Sequence, residues 1–311
     1  MARALVFPGQ GAQAVGMGRD LAAAWPEARA VFEEVDEALG EKLSALIWDG
    51  PADVLTLTAN AQPALMATSM AAMAALRAEG VEVTAASCVA GHSLGEYSAL
   101  CAAGALGLAD TARLLRLRGK AMQAAVPVGE GGMAAILGLD YATVAAIAEE
   151  ASGAEVCAAA NDNDPAQVVV SGHVAAVERA CALARSAGAK RALMLPVSAP
   201  FHCALMQPAA EAMAEALATV SLTAPRVPLV ANVTAAPVTD PDTIRRLLVE
   251  QVTGRVRWRE SVAHMAGAGV TETWEIGAGK ALSGMVKRVA RGVETRAIGT
   301  PEELRAALAS L

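Results

Sequence analysis

The sequence is poor in aromatic residues, histidine and cysteine, and each shortage excludes a class of protein. Phe, Trp and Tyr make up 3% of the 311 residues, so the core must consist mainly of Ala, Val, Leu and Met. The four histidines show no metal-ligand spacing, and we expect neither a metal nor another bound cofactor. An odd number of cysteines without C-x-x-C spacing argues against a disulfide framework and predicts reduced, mostly buried thiols at Cys88, Cys101, Cys157, Cys181 and Cys203.

Long apolar runs and an excess of positive charge are also missing. No uninterrupted apolar segment approaches the ~20 residues that a membrane helix requires. The chain enters a strand-like segment directly, without the basic and apolar regions of a signal peptide. The formal net charge of -7 argues against general nucleic-acid binding. We therefore expect a cytoplasmic, globular protein that binds neither membranes nor nucleic acid.

The most informative segment is a Gly-x-Ser-x-Gly motif centred on Ser93, between a strand-like and a helix-like run. Such a serine lies on a tight strand-to-helix turn that exposes its hydroxyl. Gly91 and Gly95 suit this turn because a side chain there would collide with neighbouring backbone. The following helix directs free N–H groups and its positive dipole end at the turn. The pattern predicts a nucleophilic serine and acyl transfer; an ordinary turn serine that caps the helix is the alternative.

A serine nucleophile needs a base, and His202 is the strongest candidate. It ends the stiff loop from Ser198 to His202, at the start of a helix-like segment. A histidine that only caps or packs at the helix start is the alternative. His92 is next to Ser93, but neighbouring side chains on a tight turn diverge. His173 and His264 are interpreted as structural or exposed.

The oxyanion formed during acyl transfer must be met by preset N–H donors. The N–H of Leu94, at the helix start, is one candidate by geometry. A second candidate lies in the loop Pro8-Gly9-Gln10-Gly11, which leaves the first strand at the edge where ligands bind in parallel sheets. A plain Gly-rich turn is an equally good interpretation of this loop taken alone.

Arg118 interrupts the apolar face of a helix predicted from Asp110 to Ala125. The polar face carries Arg113, Arg116, Lys120 and Gln123, and the apolar face carries Leu114, Leu115, Ala121 and Met122. A guanidinium directed inward is costly unless it is paired, and its planar shape fits a carboxylate. Either a protein Asp or Glu or the free carboxylate of an acyl substrate can fill that role.

Three polar residues are weaker candidates for a cleft. Gln62 and Asn161 could line it, although each is interpreted locally as a turn or capping residue. The carbonyl group of Gln251 could orient a histidine. Sequence alone does not decide these roles.

Alternating strands and helices predict an α/β fold with a mostly parallel sheet. Residues 128–197 change pattern to β-α-β-β-α-β, with predicted strands at Met133–Leu139, Glu155–Ala160, Gln167–Ser171 and Arg191–Val197. We interpret this segment as a ferredoxin-like small subdomain inserted into a large one formed by residues 1–127 and 198–311. A short strand near Leu229–Val233 and a helix at Ala281–Arg291 are predicted in the second part.

Taken together, these residues resemble the malonyl-CoA:acyl carrier protein transacylase family of bacterial fatty-acid synthesis, over essentially the whole chain. The resemblance rests on the following segments: Phe7-Pro8-Gly9-Gln10-Gly11, Gln62-Pro63-Ala64-Leu65, Gly91-His92-Ser93-Leu94-Gly95-Glu96-Tyr97, Arg118, residues Gln167 to His173, Phe201-His202, Gln251, and Glu275-Ile276-Gly277 before Lys280.

The resemblance implies a role for each site residue. Ser93 would accept the malonyl group, and His202 would act as the base, with its other ring nitrogen held by the main-chain carbonyl of Gln251. Gln10 and Leu94 would supply oxyanion N–H groups, and Arg118 would pair with the malonyl carboxylate. The implied fold is a large α/β-hydrolase-like subdomain that carries the ferredoxin-like insertion. Phe201 stands where many bacterial members have Ser, and its ring would narrow the space beside the α-carbon of the acyl group.

The resemblance further implies ping-pong transfer from malonyl-CoA to the phosphopantetheine thiol of acyl carrier protein. Because that partner is acidic, we expect a basic patch formed by Lys190, Arg191, Lys280, Lys287, Arg288 and Arg291. The alternatives are a serine esterase or thioesterase, a non-catalytic carrier-docking module, and a polyketide or malonate-decarboxylase acyltransferase of the same family.

Overall fold

A computed structural model describes residues 2–197 and 199–311 of the chain. Over these ranges the chain forms fourteen α-helices, ten β-strands and the 3₁₀ helices Val83–Ala85 and Ala204–Met206. The strands are β1 (Arg3–Phe7), β2 (Cys88–Gly91), β3 (Gly131–Leu137), β4 (Cys157–Asp164), β5 (Gln167–His173), β6 (Arg191–Met194), β7 (Leu229–Val230), β8 (Pro237–Val238), β9 (Glu272–Ile276) and β10 (Glu294–Ile298).

The helices surround these strands. They are α1 (Arg19–Ala24), α2 (Pro26–Leu39), α3 (Leu43–Asp49), α4 (Ala52–Thr56), α5 (Thr58–Ala78), α6 (Gly95–Ala102), α7 (Leu108–Ala124), α8 (Tyr141–Ser152), α9 (Val174–Ser186), α10 (Gln207–Thr219), α11 (Pro241–Thr253), α12 (Trp258–Gly267), α13 (Ala281–Val289) and α14 (Pro301–Leu308). No helix within residues 2–197 or 199–311 is long and apolar enough to cross a membrane.

The larger sheet has the strand order β10-β9-β1-β2-β7-β8. Its first five strands are parallel, and β8 pairs antiparallel with β7 at one edge. Both faces are buried, because Leu5 and Phe7 pack into one apolar cluster while Ala4 and Val6 pack into another on the opposite face. This burial on two sides explains why the strands read as continuous apolar runs. The predicted α/β fold with a mostly parallel sheet is confirmed.

The smaller sheet is antiparallel, with the order β4-β5-β3-β6. One face packs on α8 and α9 through a separate cluster that includes Ile136, Val144 and Val177. Side chains of the opposite face, among them Met133 and Val169, join the main core. The small sheet with α8 and α9, called the small unit below, therefore has a cluster of its own. The other face of this sheet packs against the rest of the chain, called the large unit.

Strand β4 joins the two units. Its Asn161 forms a parallel bridge with Val256, and Asp162 accepts hydrogen bonds from the Arg259 guanidinium at 2.8 to 3.2 Å. Asp164 accepts one from Arg288 of α13 at 2.7 Å. Asp162 and Asp164 are almost fully buried, so these pairs fix the small sheet on the large unit.

Several predicted element boundaries were wrong. The strand predicted at Glu155–Ala160 continues to Asp164, because bulges let this polar run stay in the sheet. The strand predicted at Arg191–Val197 ends at Met194, and that at Leu229–Val233 ends at Val230. Helix α13 ends at Val289, two residues short of the prediction, and Ser198 lies outside the described residues.

Candidate active site

Ser93 lies on the turn between β2 and α6, as its motif predicts. Its φ of 54° is in the left-handed region, which a serine adopts only when the surroundings hold it there. A Cβ atom at Gly91 would overlap the backbone of Gly95, and one at Gly95 would overlap the carbonyl oxygen of Phe7. The two glycines therefore allow the turn to press against the end of β1.

His202 approaches Ser93 from the loop before the 3₁₀ helix at 204–206. The Ser93 Oγ and His202 Nε2 atoms are 2.8 Å apart. His202 Nδ1 lies 2.9 Å from the carbonyl oxygen of Gln251 and 3.1 Å from that of Gly254. Since carbonyls only accept, Nδ1 carries the proton, and Nε2 is free to accept the hydroxyl proton of Ser93. This geometry suits a nucleophile and its base.

The imidazole of His202 is neutral at physiological pH. Burial, helped by the nearby charge of Arg118, lowers its pKa to about 3. The two carbonyl contacts act in the opposite direction but do not outweigh burial. A neutral ring is the form that can take up a proton.

Arg118 lies behind Ser93 and is 1% exposed. Its guanidinium donates to Gln62 Oε1 at 2.9 Å, to Gln251 Oε1 at 2.8 Å and to Ser93 Oγ at 3.2 Å. No salt bridge formed within residues 2–197 or 199–311 includes Arg118, and its Nε has no hydrogen-bond partner there. Of the two alternatives for Arg118, the internal ion pair is therefore not observed among the described residues, and a buried cation lies beside the serine with only neutral acceptors.

The side chain of Gln251 links Arg118 to an acid. Its Nε2 donates to Glu96 Oε2 at 2.7 Å and to the carbonyl of Ser93 at 2.9 Å. Glu96 Oε2 also accepts from the N–H of Asn232 at 3.2 Å, and Asn232 Oδ1 accepts from the N–H of Ser93 at 2.8 Å. Gln251 and Asn232 thus fix the backbone of the serine turn through hydrogen bonds to the carbonyl and the N–H of Ser93.

Two backbone N–H groups beside the serine turn have no hydrogen-bond partner among the described residues. Within the described residues, the backbone N–H groups of Gln10 and Leu94 donate to no protein acceptor. The side chain of Gln10 donates to Thr58 Oγ1 at 3.2 Å, which anchors its loop. A Cβ at Gly9 would crowd the carbonyl of His92, so the loop packs directly on the serine turn. Both N–H groups therefore stay the candidates for the predicted oxyanion donors.

One cavity of about 480 Å³ brings most of the predicted residues together. Its lining includes Gln10, Ser93, Asn161, Phe201 and His202. Gln62 lies beside Arg118 within α5, instead of in the turn or cap that local sequence predicted. Gln62, Leu94, Arg118 and Gln251 do not belong to this lining. Asn161 also lies in a strand and not in a turn. The cavity runs between the serine turn, the open face of the small sheet and the start of α13.

Comparison with known proteins agrees with this arrangement. The family described as acyl transferase domain matches residues 4–297. The chain belongs to this family. It is 48% identical over 305 residues to the malonyl CoA-acyl carrier protein transacylase of Escherichia coli (strain K12), with 98% of each chain covered. The predicted resemblance to transacylases is thereby confirmed.

Solved structures of acyl transferases agree as well. The acyl-carrier-protein-S-malonyltransferase from Bartonella henselae is 57% identical, with a TM-score of 0.98 over 100% of this chain and 99% of that one. A malonyl-transacylase in complex with a type II PKS acyl-carrier protein is 42% identical, with a TM-score of 0.97 and 100% of both chains covered.

The predicted basic patch of this acyl transferase is partly neutralised. All six of its residues are exposed. However, Lys280 pairs with Glu303 at 2.8 Å, and Arg288 pairs with Asp164 at 2.7 Å. Asp164, Gln167, Leu137 and Arg191 pair in turn across the four strands of the small sheet. At ~4.8 Å per strand, the Cα atoms of Arg191 and Asp164 are about 14 Å apart.

Sequence reasoning missed four contributors to the site. Glu96, Asn232 and the carbonyl of Gly254 join the network described above, and Asn163 Oδ1 accepts from His92 Nε2 at 2.8 Å. Glu96 carried a signal, because an acid directly after the Gly-x-Ser-x-Gly motif falls in the first turn of α6. The others come from distant segments that only folding brings to the serine.

No group of three or more His, Cys, Asp or Glu side chains in the described residues is arranged to hold a metal ion.

Proposed function

We propose that this acyl transferase moves a malonyl group from malonyl-CoA to the phosphopantetheine thiol of acyl carrier protein, through a malonyl ester of Ser93, for fatty-acid biosynthesis. The observation that carries the proposal is the position of Arg118. A buried guanidinium without a protein carboxylate lies 3.2 Å from the Oγ of a serine that contacts a neutral histidine. A substrate with its own carboxylate supplies the missing partner.

The first half-reaction transfers the acyl group to the enzyme. Ser93 Oγ attacks the thioester carbon while its proton passes to His202 Nε2. The N–H groups of Gln10 and Leu94 stabilise the oxyanion. The carbon–sulfur bond then breaks, and the CoA sulfur takes the proton from His202. In the second half-reaction, His202 takes the proton of the carrier thiol, and the thiol sulfur attacks the ester carbon. The bond to Ser93 Oγ then breaks, and Ser93 regains a proton from His202.

The substrate carboxylate also helps the base. In the free enzyme, the charge of Arg118 is one cause of the low pKa of His202. A malonyl carboxylate beside the guanidinium offsets that charge, so the imidazolium formed during attack becomes less costly. An acetyl group offers no such compensation. Selectivity for malonyl thus arises in the transition state as well as in binding.

Three features favour a transferase over a serine hydrolase or a docking module. The ring of His202 is held by two main-chain carbonyls, and no Asp or Glu of the described residues contacts it. An inward guanidinium has no use in a general esterase. A docking module needs no neutral base 2.8 Å from the hydroxyl of a half-buried serine.

The finer architecture belongs to the same proposal. Residues 1–127 and 198–311 form a hydrolase-like large subdomain, and residues 128–197 form the ferredoxin-like insertion. The strand order β4-β5-β3-β6 and the covering by α8 and α9 support the second assignment. Under this division, residues of both subdomains line the cavity. The cytoplasmic location stays a prediction.

The decisive experiment is intact-mass measurement after mixing the protein with malonyl-, acetyl- or methylmalonyl-CoA. We expect a malonyl adduct on Ser93 and none on the Ser93→Ala variant. Release of free malonate at the transfer rate would instead identify a hydrolase, and the absence of any adduct would leave only a docking role. Comparable adducts from malonyl- and methylmalonyl-CoA would show that Phe201 does not restrict the α-carbon.

The carrier surface calls for a separate test. Arg288 is a poor choice for mutation because its loss would free the buried Asp164 carboxylate. Lys287→Glu combined with Arg191→Glu leaves that pair intact. We expect slower transfer to carrier protein with unchanged acylation by malonyl-CoA, and equal loss in both half-reactions would contradict the patch.

A further inference from the structure

The acid below the serine turn has no part in the mechanism so far. Glu96 is 1% exposed, and its Oε2 accepts from the side chain of Gln251 and from the N–H of Asn232. The same amide group of Gln251 accepts from Arg118 through its Oε1. One amide therefore separates a buried acid from the buried cation proposed to bind the substrate.

We propose that Glu96 is the internal counter-charge of Arg118, and that it takes up a proton when the malonyl carboxylate occupies the guanidinium. This inference rests on the proposed malonyl transfer. Glu96 touches neither substrate nor reacting atoms, so it is a positioning residue that acts through Gln251.

The physical reason is that one cation serves two anions. With an empty site, an ionised Glu96 partly balances the Arg118 charge. When a substrate carboxylate arrives, the buried cluster would hold one positive and two negative charges, which is costly in a region of low dielectric. Protonation of Glu96 relieves this excess and leaves the guanidinium to the substrate.

The surroundings of Glu96 make such a proton exchange feasible near neutral pH. Burial raises the pKa of Glu96 to about 7, while the hydrogen bonds and Arg118 act in the opposite direction. Arg118 from α7 is the one charge acting on it from the described residues. The other titratable groups beside this cluster are uncharged at neutral pH, since burial shifts the pKa values of Tyr97, His92 and His202 toward their neutral forms.

The test is the pH dependence of substrate selectivity. We measure kcat/KM for Ser93 acylation by malonyl-CoA and by acetyl-CoA between pH 6 and 8.5, using intact mass in single turnovers. The ratio of the two rates cancels effects of His202 and the leaving thiol. The malonyl preference of the natural protein should fall as pH rises through 7, by about tenfold for each unit by which the malonyl group raises the pKa of Glu96.

Glu96→Gln is the informative variant, because its carbonyl oxygen can still accept both hydrogen bonds without a charge. Its malonyl preference should be independent of pH and exceed that of the natural protein at pH 8.5. Glu272→Gln is the matched control, since it removes another buried carboxylate, bound by Arg3 and Arg296 at the opposite end of the sheet. This control should keep the natural pH dependence.

A second measurement avoids any variant. Acylation exchanges a serine proton for a thiol proton, so it is proton-neutral at pH 7 except for changes at the enzyme. An indicator dye should therefore report uptake of a fraction of a proton per malonyl-serine formed at pH 7, and none at pH 5.5. No uptake at pH 7, a constant selectivity ratio in the natural protein, or equal pH dependence in Glu96→Gln would each overturn the proposal. A protein that forms no malonyl adduct at any pH would instead refute the proposed function.

Discussion

At the scale of single residues, the site gives a neutral base and a buried cation only neutral hydrogen-bond partners. His202 meets two carbonyls, and Arg118 meets two amide oxygens and a hydroxyl. No carboxylate of the described residues touches the guanidinium, so Glu96, one amide away, offsets the charge of Arg118 only in part. The free enzyme is therefore ready for a carboxylate.

Arg118→Ala should remove the preference for malonyl-CoA over acetyl-CoA. A buried, hydrogen-bonded charge pair is typically worth about 2–5 kcal/mol, which corresponds to a loss of roughly 30-fold or more in malonyl kcat/KM. The rate with acetyl-CoA should not fall, because the charge that disfavours the His202 imidazolium is removed. Arg118→Lys keeps the charge but not the planar shape, so it should recover only part of the preference. Unchanged selectivity in Arg118→Ala would contradict the role as a carboxylate clamp.

Because burial and Arg118 lower the pKa of His202 to about 3, acylation should not lose half its rate near pH 6.5. The kcat/KM for malonyl-CoA reports the free enzyme. It should stay high as pH is lowered through 6.5, and stopped-flow measurements from pH 5 to 8 check this. A decline centred on pH 6.5 would show that the base titrates normally.

The same shift affects stability with a definite sign. The unfolded chain binds a proton at the ordinary histidine pKa of about 6.5, whereas the folded protein does not until about pH 3. The stabilisation from His202 is present above pH 6.5 and is lost as pH falls toward 3. Urea unfolding should therefore show that the natural protein loses stability relative to His202→Gln as pH drops from 7 to 5.

At the scale of elements, the site depends on how chain segments end. Helix α6 starts directly after the serine turn, and α13 starts beside the cavity with Ala281, Leu282 and Met285 in its lining. Glu275, at the end of β9, accepts from the N–H groups of Leu282 and Ser283 at 3.0 and 2.7 Å. A buried carboxylate thus fixes where α13 begins.

Glu275→Ala should lower the free energy of unfolding by about 2–4 kcal/mol, because it leaves two buried N–H groups without an acceptor. Thr300→Ala is a suitable comparison, since Thr300 caps α14 through the N–H of Glu303 at an exposed position. That change should cost about 1 kcal/mol. Chemical denaturation measures both, and equal costs would show that burial of the cap is unimportant.

At the scale of the whole molecule, catalysis requires the small and large units to keep a fixed position relative to each other. The cavity is lined from both sides, by the serine turn and by strands of the small sheet. The polar contacts that hold them are the pairs of Asp162 with Arg259 and Asp164 with Arg288, together with the bridge at Asn161. The cavity is therefore a property of the junction.

Arg259→Ala should destabilise the protein by about 3 kcal/mol, because the fully buried carboxylate of Asp162 loses its partner. Since Asn161 and Asn163 flank Asp162 and line the cavity, kcat/KM should fall as well. Arg246→Ala breaks an exposed pair with Glu250 and should change stability by less than about 1 kcal/mol. A similar small effect for both variants would show that the junction does not depend on this pair.

Much of the site could be predicted because its signals are local. The serine turn needs glycines at fixed positions, and a charge on an apolar helix face stands out in the helical periodicity. The polar end of β4 was harder to predict from the sequence. Residues 161–164 have the composition of a loop, and they stay in the strand because Arg259 and Arg288 of the large unit bind the two aspartates. Gln251 was predicted through its carbonyl, but its side chain, which links Arg118 to Glu96, carried no sequence signal.

The sequence by itself determined the serine turn, the inward position of Arg118 and the α/β alternation, because each follows from residue type and spacing along one segment. Only the tertiary structure decided that His202 lies 2.8 Å from Ser93, that no carboxylate of the described residues pairs with Arg118, and that Glu96 shares an amide with it. Those facts join residues up to 155 positions apart, as Glu96 and Gln251 are, and such contacts depend on how whole elements pack. Local sequence patterns determine which functional groups are present and on which element each one lies. The packing of the elements determines the distances between these groups and the charges that surround them.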